Sequence, residues 1–158
     1  MFWTDARQEH LDEIIRRYPK ICNSKNVFRL DLENSWPEIG KFDVILHFGV
    51  LYHLNNWELS LRESIKHSRL IFLETEVSDF KKDTNIVVHE KGYDQAFSGI
   101  GSRPSAKAIE RVIASAGAKF IRHDSEMLNS TLHTYDWKAS DTKSWKHGLR
   151  RFWIIKNL

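Results

Sequence analysis

Phe42-Asp43-Val44-Ile45-Leu46-His47-Phe48, followed at once by Gly49-Val50-Leu51-Tyr52-His53, decides the fold. Its nearly continuous apolar run predicts a strand buried on both faces, as in a parallel sheet. Toward the C-terminus, Leu54, Trp57, Leu61 and Ile65 share one side of a helix, and Leu70-Ile71-Phe72-Leu73 reads as a second buried strand ending in Glu74. Toward the N-terminus, Val27-Phe28-Arg29-Leu30 predicts a strand that ends in Asp31, and Met1–Thr4 another that ends in Asp5. Between these two, Leu11, Ile14, Ile15 and Tyr18 recur at the spacing of one helical face, and Pro19 closes the helix.

Residues 75–103 form a long polar connection, which signals a functional lid or a segment with small elements of its own. Ser105 is suited to cap a helix whose buried stripe is Ile109, Val112, Ile113 and Ala116. Ala118–His123 and Arg151–Lys156 read as final strands. Strands alternating with helices in this order predict an α/β three-layer sandwich with a mostly parallel sheet, formed by residues 1–158 as one domain.

A chain of 158 residues buries roughly 70% of its unfolded surface around a single core. Apolar and charged fractions of 41% and 28% are those of a soluble globular protein. The single cysteine, Cys22, excludes an internal disulfide framework and a cysteine-based zinc site, which makes the cytoplasm the natural setting. No apolar run reaches the roughly 18 residues needed to cross a bilayer, so no membrane partner is expected. The net charge is +3, and the C-terminal end is basic: Lys138, Lys143, Lys146, Arg150, Arg151 and Lys156 stand against Asp141. Such a run attracts an anionic ligand or nucleic acid, or more often forms a solvated face.

Ligands of open α/β sheets bind beyond the carboxyl ends of the strands. That rule selects Asp5, Asp31, the run from Phe48 to His53, and Glu74 to Glu76. A carboxylate there can accept both hydroxyls of a ribose, and Gly49 lets backbone approach a ligand closely. Each position has a plainer reading: Asp5 as a helix N-cap, and Tyr52 and His53 as loop residues that tie down the strand end. His89, His123, His133 and His147 show no metal-ligand spacing, and no metal site is expected. Gly99-Ile100-Gly101 is a G-x-G with no strand leading into it, which argues against a phosphate or cofactor loop. Trp137, Trp145 and Trp153 allow an aromatic acceptor, although burial in the core is their commoner role.

In order and wording these segments resemble the class I S-adenosylmethionine (SAM)-dependent methyltransferases, from the second strand of that family to its last. Thr4-Asp5-Ala6-Arg7 looks like the acidic strand end that holds the ribose, and Leu30-Asp31-Leu32 like the segment that sets an acid near the adenine. Phe42 to His53 is similar to the motif beside the transferred methyl group. With Leu73-Glu74-Thr75-Glu76-Val77, Pro104-Ser105, Tyr135-Asp136-Trp137 and Arg151–Ile155, it resembles the branch that carboxymethylates tRNA wobble uridine using carboxy-SAM.

The resemblance implies SAM or carboxy-SAM as cofactor, with Asp5, Asp31, Phe48 and Gly49 around it. Tyr52 and Arg151 match the tyrosine and arginine that hold the carboxylate of carboxy-SAM. The implied reaction is methyl transfer to an oxygen or nitrogen acceptor, anionic or RNA. His53 is the candidate general base, since a histidine ordinarily titrates near neutrality, and Tyr52 stands beside it. A non-catalytic binding or scaffold protein derived from a methyltransferase is the rival class, and a nucleic-acid binder using the basic end a third.

The family pattern opens with a strand and a G-x-G-x-G loop that have no match here, so an incomplete Rossmann-like fold lacking its first strand is expected. That strand lies between the ones ending in Asp5 and Phe48. Unpaired buried peptide groups there would cost about 1–3 kcal/mol each, against a folding stability of about 5–15 kcal/mol. Two outcomes are expected to avoid this cost. Either the flanking strands close up and pair, or a second copy or another partner donates a strand.

Overall fold

The computed structural model describes residues 1–78, 82–138 and 148–157. Asp141, Lys143, Trp145, Lys146 and His147, singled out above, lie outside the described residues. The elements follow the order β1 (Trp3–Asp5), α1 (Gln8–Arg17), β2 (Val27–Arg29), β3 (Phe42–Phe48), α2 (Trp57–Lys66) and β4 (Ser68–Glu76). The rest are β5 (Asn85–His89), β6 (Ile100–Pro104), α3 (Ala106–Ser115), β7 (Lys119–Arg122) and β8 (Arg150–Lys156). A short 3₁₀ turn, Leu51–His53, links β3 to α2.

β3, β4, β8 and β7 form one sheet in that order. β3 and β4 are parallel and β8 is antiparallel to both its neighbours, so β3, β4 and β7 point one way. β1 and β2 pair in parallel as a separate two-stranded sheet, and β5 and β6 form an antiparallel hairpin within the long polar connection. The architecture is α/β and Rossmann-like in its strand order.

Alternation along each strand decides what is buried. Ile71 and Leu73 of β4 and Trp153 and Ile155 of β8 point to the side where α2 supplies Leu61 and Ile65 and α3 supplies Ile109, Val112 and Ile113. These side chains are almost wholly removed from water, each contributing about 1.5–3 kcal/mol. Ser105 caps α3 as expected, its hydroxyl accepting from the Ala108 amide at 3.1 Å. Leu11 of α1 packs with Cys22 and Val27 in a smaller cluster under β1 and β2.

Three expectations are corrected. β3 is not buried on both faces: Ile45 packs on the core, whereas Val44, Leu46 and Phe48 are 46%, 63% and 47% exposed. An apolar run reports what a strand can bury, and burial needs a layer opposite; none of the described helices packs there. β1 and β3 do not close up, since they belong to different sheets. An edge contact between the rings of Phe2, just before β1, and Phe42 of β3, 5.7 Å apart, joins their amino-terminal ends. Finally, the basic end is not wholly a solvated face, because Arg150 and Arg151 are buried in ion pairs.

Candidate functional site

A cleft of about 310 Å³ lies between the carboxyl ends of β1 and β3, which belong to different sheets. Asp5, Asp31, Gly49 and His53 all line it, together with apolar Leu32 and Ile45 and the indole-bearing Trp36. Four of the residues chosen from strand ends therefore converge. Asp5 accepts the Arg7 amide at 2.8 Å and faces His10 Nδ1 at 3.2 Å, so it also holds the turn into α1. Asp31 accepts the Glu33 amide at 3.0 Å and the Asn34 side-chain amide at 2.9 Å. Both carboxylates keep lone-pair sites beyond these bonds, since each offers about four.

Gly49 follows β3 with φ of +67° and donates its amide to Glu74 O at 3.0 Å. A side chain would be strained in that left-handed conformation, which lets the chain turn sharply from the strand into the cleft rim. His47 of β3 lines the same cleft, buried, with neither ring nitrogen hydrogen-bonded. Burial lowers its pKa to about 4, so the ring is neutral at neutral pH.

Phe48 and Tyr52 turn elsewhere. Phe48 lies with Glu74, Phe152, His133, Tyr135 and Trp137 around a second, more open hollow of about 330 Å³. Tyr52 Oη accepts from Arg150 Nη2 at 3.0 Å, and the Arg150 guanidinium lies 4.4 Å from the ring centres of both Tyr52 and Tyr135. Glu74 pairs with Arg150 at 3.1 Å. Burial raises the Glu74 pKa despite the opposing pull of Arg150. Burial also pushes the Tyr52 phenol up, against the same charge. Arg150 is nearly buried, and its Nε makes no hydrogen bond.

Arg151, the arginine chosen from sequence, does not meet Tyr52. Successive strand residues point to opposite faces, and Arg151 donates instead to Arg150 O at 2.6 Å and to Lys138 O at 2.5 Å. Arg150 and Arg103 both lie over the Tyr52 ring, at 4.4 and 4.8 Å from its centre. The parity of a strand already anchored by Trp153 in the core was the signal that could have chosen between Arg150 and Arg151.

Sequence reading also missed Glu90 and Arg103. Glu90 Oε2 lies 2.5 Å from His53 Nδ1 and accepts the Ala96 amide at 2.9 Å, and Glu90 Oε1 accepts Arg103 Nη2 at 2.8 Å. Arg103 continues to Glu76 Oε2 at 2.8 Å and to Tyr52 O at 2.8 Å. Although burial disfavours the Glu90 charge, the bonds from His53, Arg103 and Ala96 win and lower its pKa. The β-branched run before it, Ile86-Val87-Val88, was the available sign of a strand ending in a carboxylate. The G-x-G now has a role: Gly99-Ile100-Gly101 opens β6, and Gly101 packs directly against Glu90.

No family model matches this sequence. Over 135 residues the chain is 28% identical to the tRNA U34 carboxymethyltransferase of Ruthia magnifica subsp. Calyptogena magnifica, covering 82% of this chain and 42% of that protein. Among solved structures, the N-terminal domain of EvdMO1, crystallised in the presence of SAH and D-fucose, matches with a TM-score of 0.65. That match has 13% identity and spans 98% of this chain and 64% of that one. An S-adenosylmethionine-dependent methyltransferase from Clostridium acetobutylicum ATCC 824 matches with a TM-score of 0.59 and 11% identity, over 97% of this chain and 73% of that one. The chain thus spans less than half the length of the curated relative. Among the described residues no helix is long and apolar enough to cross a membrane. The strand order, the helices packed on it and these likenesses agree: the chain has the Rossmann-like α/β fold of the SAM-dependent methyltransferases.

Proposed function

We propose that the chain binds the nucleoside part of SAM in the cleft between β1 and β3 and serves methyl transfer to an oxygen or nitrogen acceptor. The convergence of Asp5, Asp31, Gly49 and His53 on one cleft carries this reading. The donor set suits an adenosine: Asp5 and Asp31 offer acceptors for ribose hydroxyls and the base, and Leu32 and Ile45 offer apolar walls. For the amino-acid half, Arg7, His10 and Gln95 line the cleft in place of a glycine loop.

When bound, SAM supplies a methyl group on a sulfonium, whose carbon–sulfur bond breaks with its electron pair left on sulfur. The protein's part is alignment and proton removal. His53 takes the acceptor's proton as the acceptor's lone pair forms the new bond. Tyr52, paired with Arg150, supports carboxy-SAM as the variant cofactor, with Arg150 in the role first given to Arg151. The tRNA-modifying relative supports an RNA acceptor. The open edge of β3 supports self-association or a strand from a partner chain, and sedimentation of the purified chain tests it.

A scaffold reading is favoured by one observation: Asp5 and Asp31 already serve their own turns. Calorimetry with SAM, carboxy-SAM and SAH separates the two readings. Heat of binding is expected, and its absence at high micromolar ligand leaves the scaffold.

A further inference from the structure

His53 is held from behind by a buried chain of charges. Its Nδ1 lies 2.5 Å from Glu90 Oε2 while the ring lines the cleft, and the described residues make no hydrogen bond to Nε2. An ionised carboxylate only accepts hydrogen bonds, so the proton on the ring must sit on Nδ1. Glu90 in turn cannot swing away. Arg103 Nη2 and the Ala96 amide hold its two oxygens at 2.8 and 2.9 Å, and its side chain is 3% exposed.

Arg103 is itself fixed, stacked 4.8 Å from the Tyr52 ring and paired with Glu76 at 2.8 Å. Gly101 completes the seat, since any Cβ there would fall 2.6 Å from Glu90 Oε1. Glu76 and Glu90 thus both hold the Arg103 guanidinium, at 2.8 Å each.

We propose that Glu90 is a positioning residue that fixes His53 as the Nδ1–H tautomer and leaves Nε2 as the basic atom facing the cleft. The inference rests on the reading that His53 works in that cleft, but it concerns the ring alone and can be tested alone. A histidine in the other tautomer would offer the cleft a donor where a base is required. The same carboxylate anchors the segment that brings Asp94, Gln95 and Phe97 to the cleft, through its bond to the Ala96 amide. Placement of the base and of that wall is therefore a single event.

Long-range proton–nitrogen correlation spectra of the ¹⁵N-labelled chain read the tautomer directly, with His53 assigned by the signals lost in His53→Gln. The wild-type ring is expected as a single Nδ1–H tautomer at pH values where it is neutral. Glu90→Gln, of the same shape, is expected to lose that single state, giving a mixture or the Nε2–H form. An Nε2–H ring in the wild-type chain overturns the proposal even if the variant fails to fold, and so does a variant spectrum identical to wild type. SAH calorimetry on the same samples keeps the two readings apart. A fixed tautomer without SAH binding supports the positioning role and removes the methyltransferase reading.

Discussion

Gly101 lies against Glu90 so closely that no larger residue fits between them: a Cβ at position 101 would sit 2.6 Å from Glu90 Oε1 and 2.7 Å from Tyr52 O. The glycine is required for space, because β6 must pass beside a carboxylate already tied to His53 and Arg103. Overpacking of this kind costs about 1–3 kcal/mol. Gly101→Ala is therefore expected to lower the melting temperature by roughly 2–4 °C per kcal/mol lost. A thermal melt equal to wild type would show that the Glu90 seat yields without cost.

Asp5 and Asp31 should be separable from the fold by amide substitution. Asp5→Asn keeps an oxygen for the Arg7 amide and removes the charge that faces His10. A hydrogen bond to a charged group is worth about 1.5–3 kcal/mol, so SAH affinity is expected to fall roughly 10–100-fold with little change in melting. Calorimetry at matched protein folding checks this, and equal affinity in Asp5→Asn and Asp31→Asn would remove both acids from the cofactor grip.

Strand ends were the legible part of the site. Phe42–Phe48 and Leu70–Leu73 announced themselves by apolar runs; Gly49 and His53 after the first line the cleft, whereas Glu74 after the second lines the other hollow. Exposure was not legible in the same way. Val44, Leu46 and Phe48 carry the composition of buried residues, but nothing in a strand's own sequence says whether a layer covers it. Glu90 and Arg103 were hidden for a different reason: their partners, His53 and Glu76, are far away in sequence and brought together by the β5–β6 hairpin. That Arg150 rather than Arg151 lies against Tyr52 follows from the alternation of β8, which one core residue of the strand reveals.

His47 gives the chain a defined response to acid. The ring is buried without partners, and burial lowers its pKa from 6.5 to about 4. Between those values the unfolded chain binds a proton that the folded chain refuses, so stability is present above pH 6.5 and is lost as pH falls toward 4. From about pH 7 to about pH 5 the loss attributable to this group is about 2 kcal/mol. Urea unfolding at the two pH values should show it, and His47→Leu should remove that part of the difference. An unchanged pH dependence in His47→Leu would assign the acid response to other groups.

The open edge of β3 is the surface on which the proposed self-association can be tested. Its backbone is not paired with β1, and Val44, Leu46 and Phe48 are at least 46% exposed on its uncovered face. Edge strands with exposed apolar side chains invite pairing, and a patch of this kind draws a second apolar surface; the one charge on β3, Asp43, stands near its start and is paired with Arg69 at 3.7 Å. Self-association that rises with concentration is therefore expected in sedimentation velocity. Leu46→Lys places a charge at the most exposed of the three positions, pointing away from the Ile45 side that packs on the core. It should return the chain to a monomer with its melting temperature in dilute solution unchanged. A wild-type chain that stays monomeric at high concentration would show that neither this edge nor this face holds a second copy.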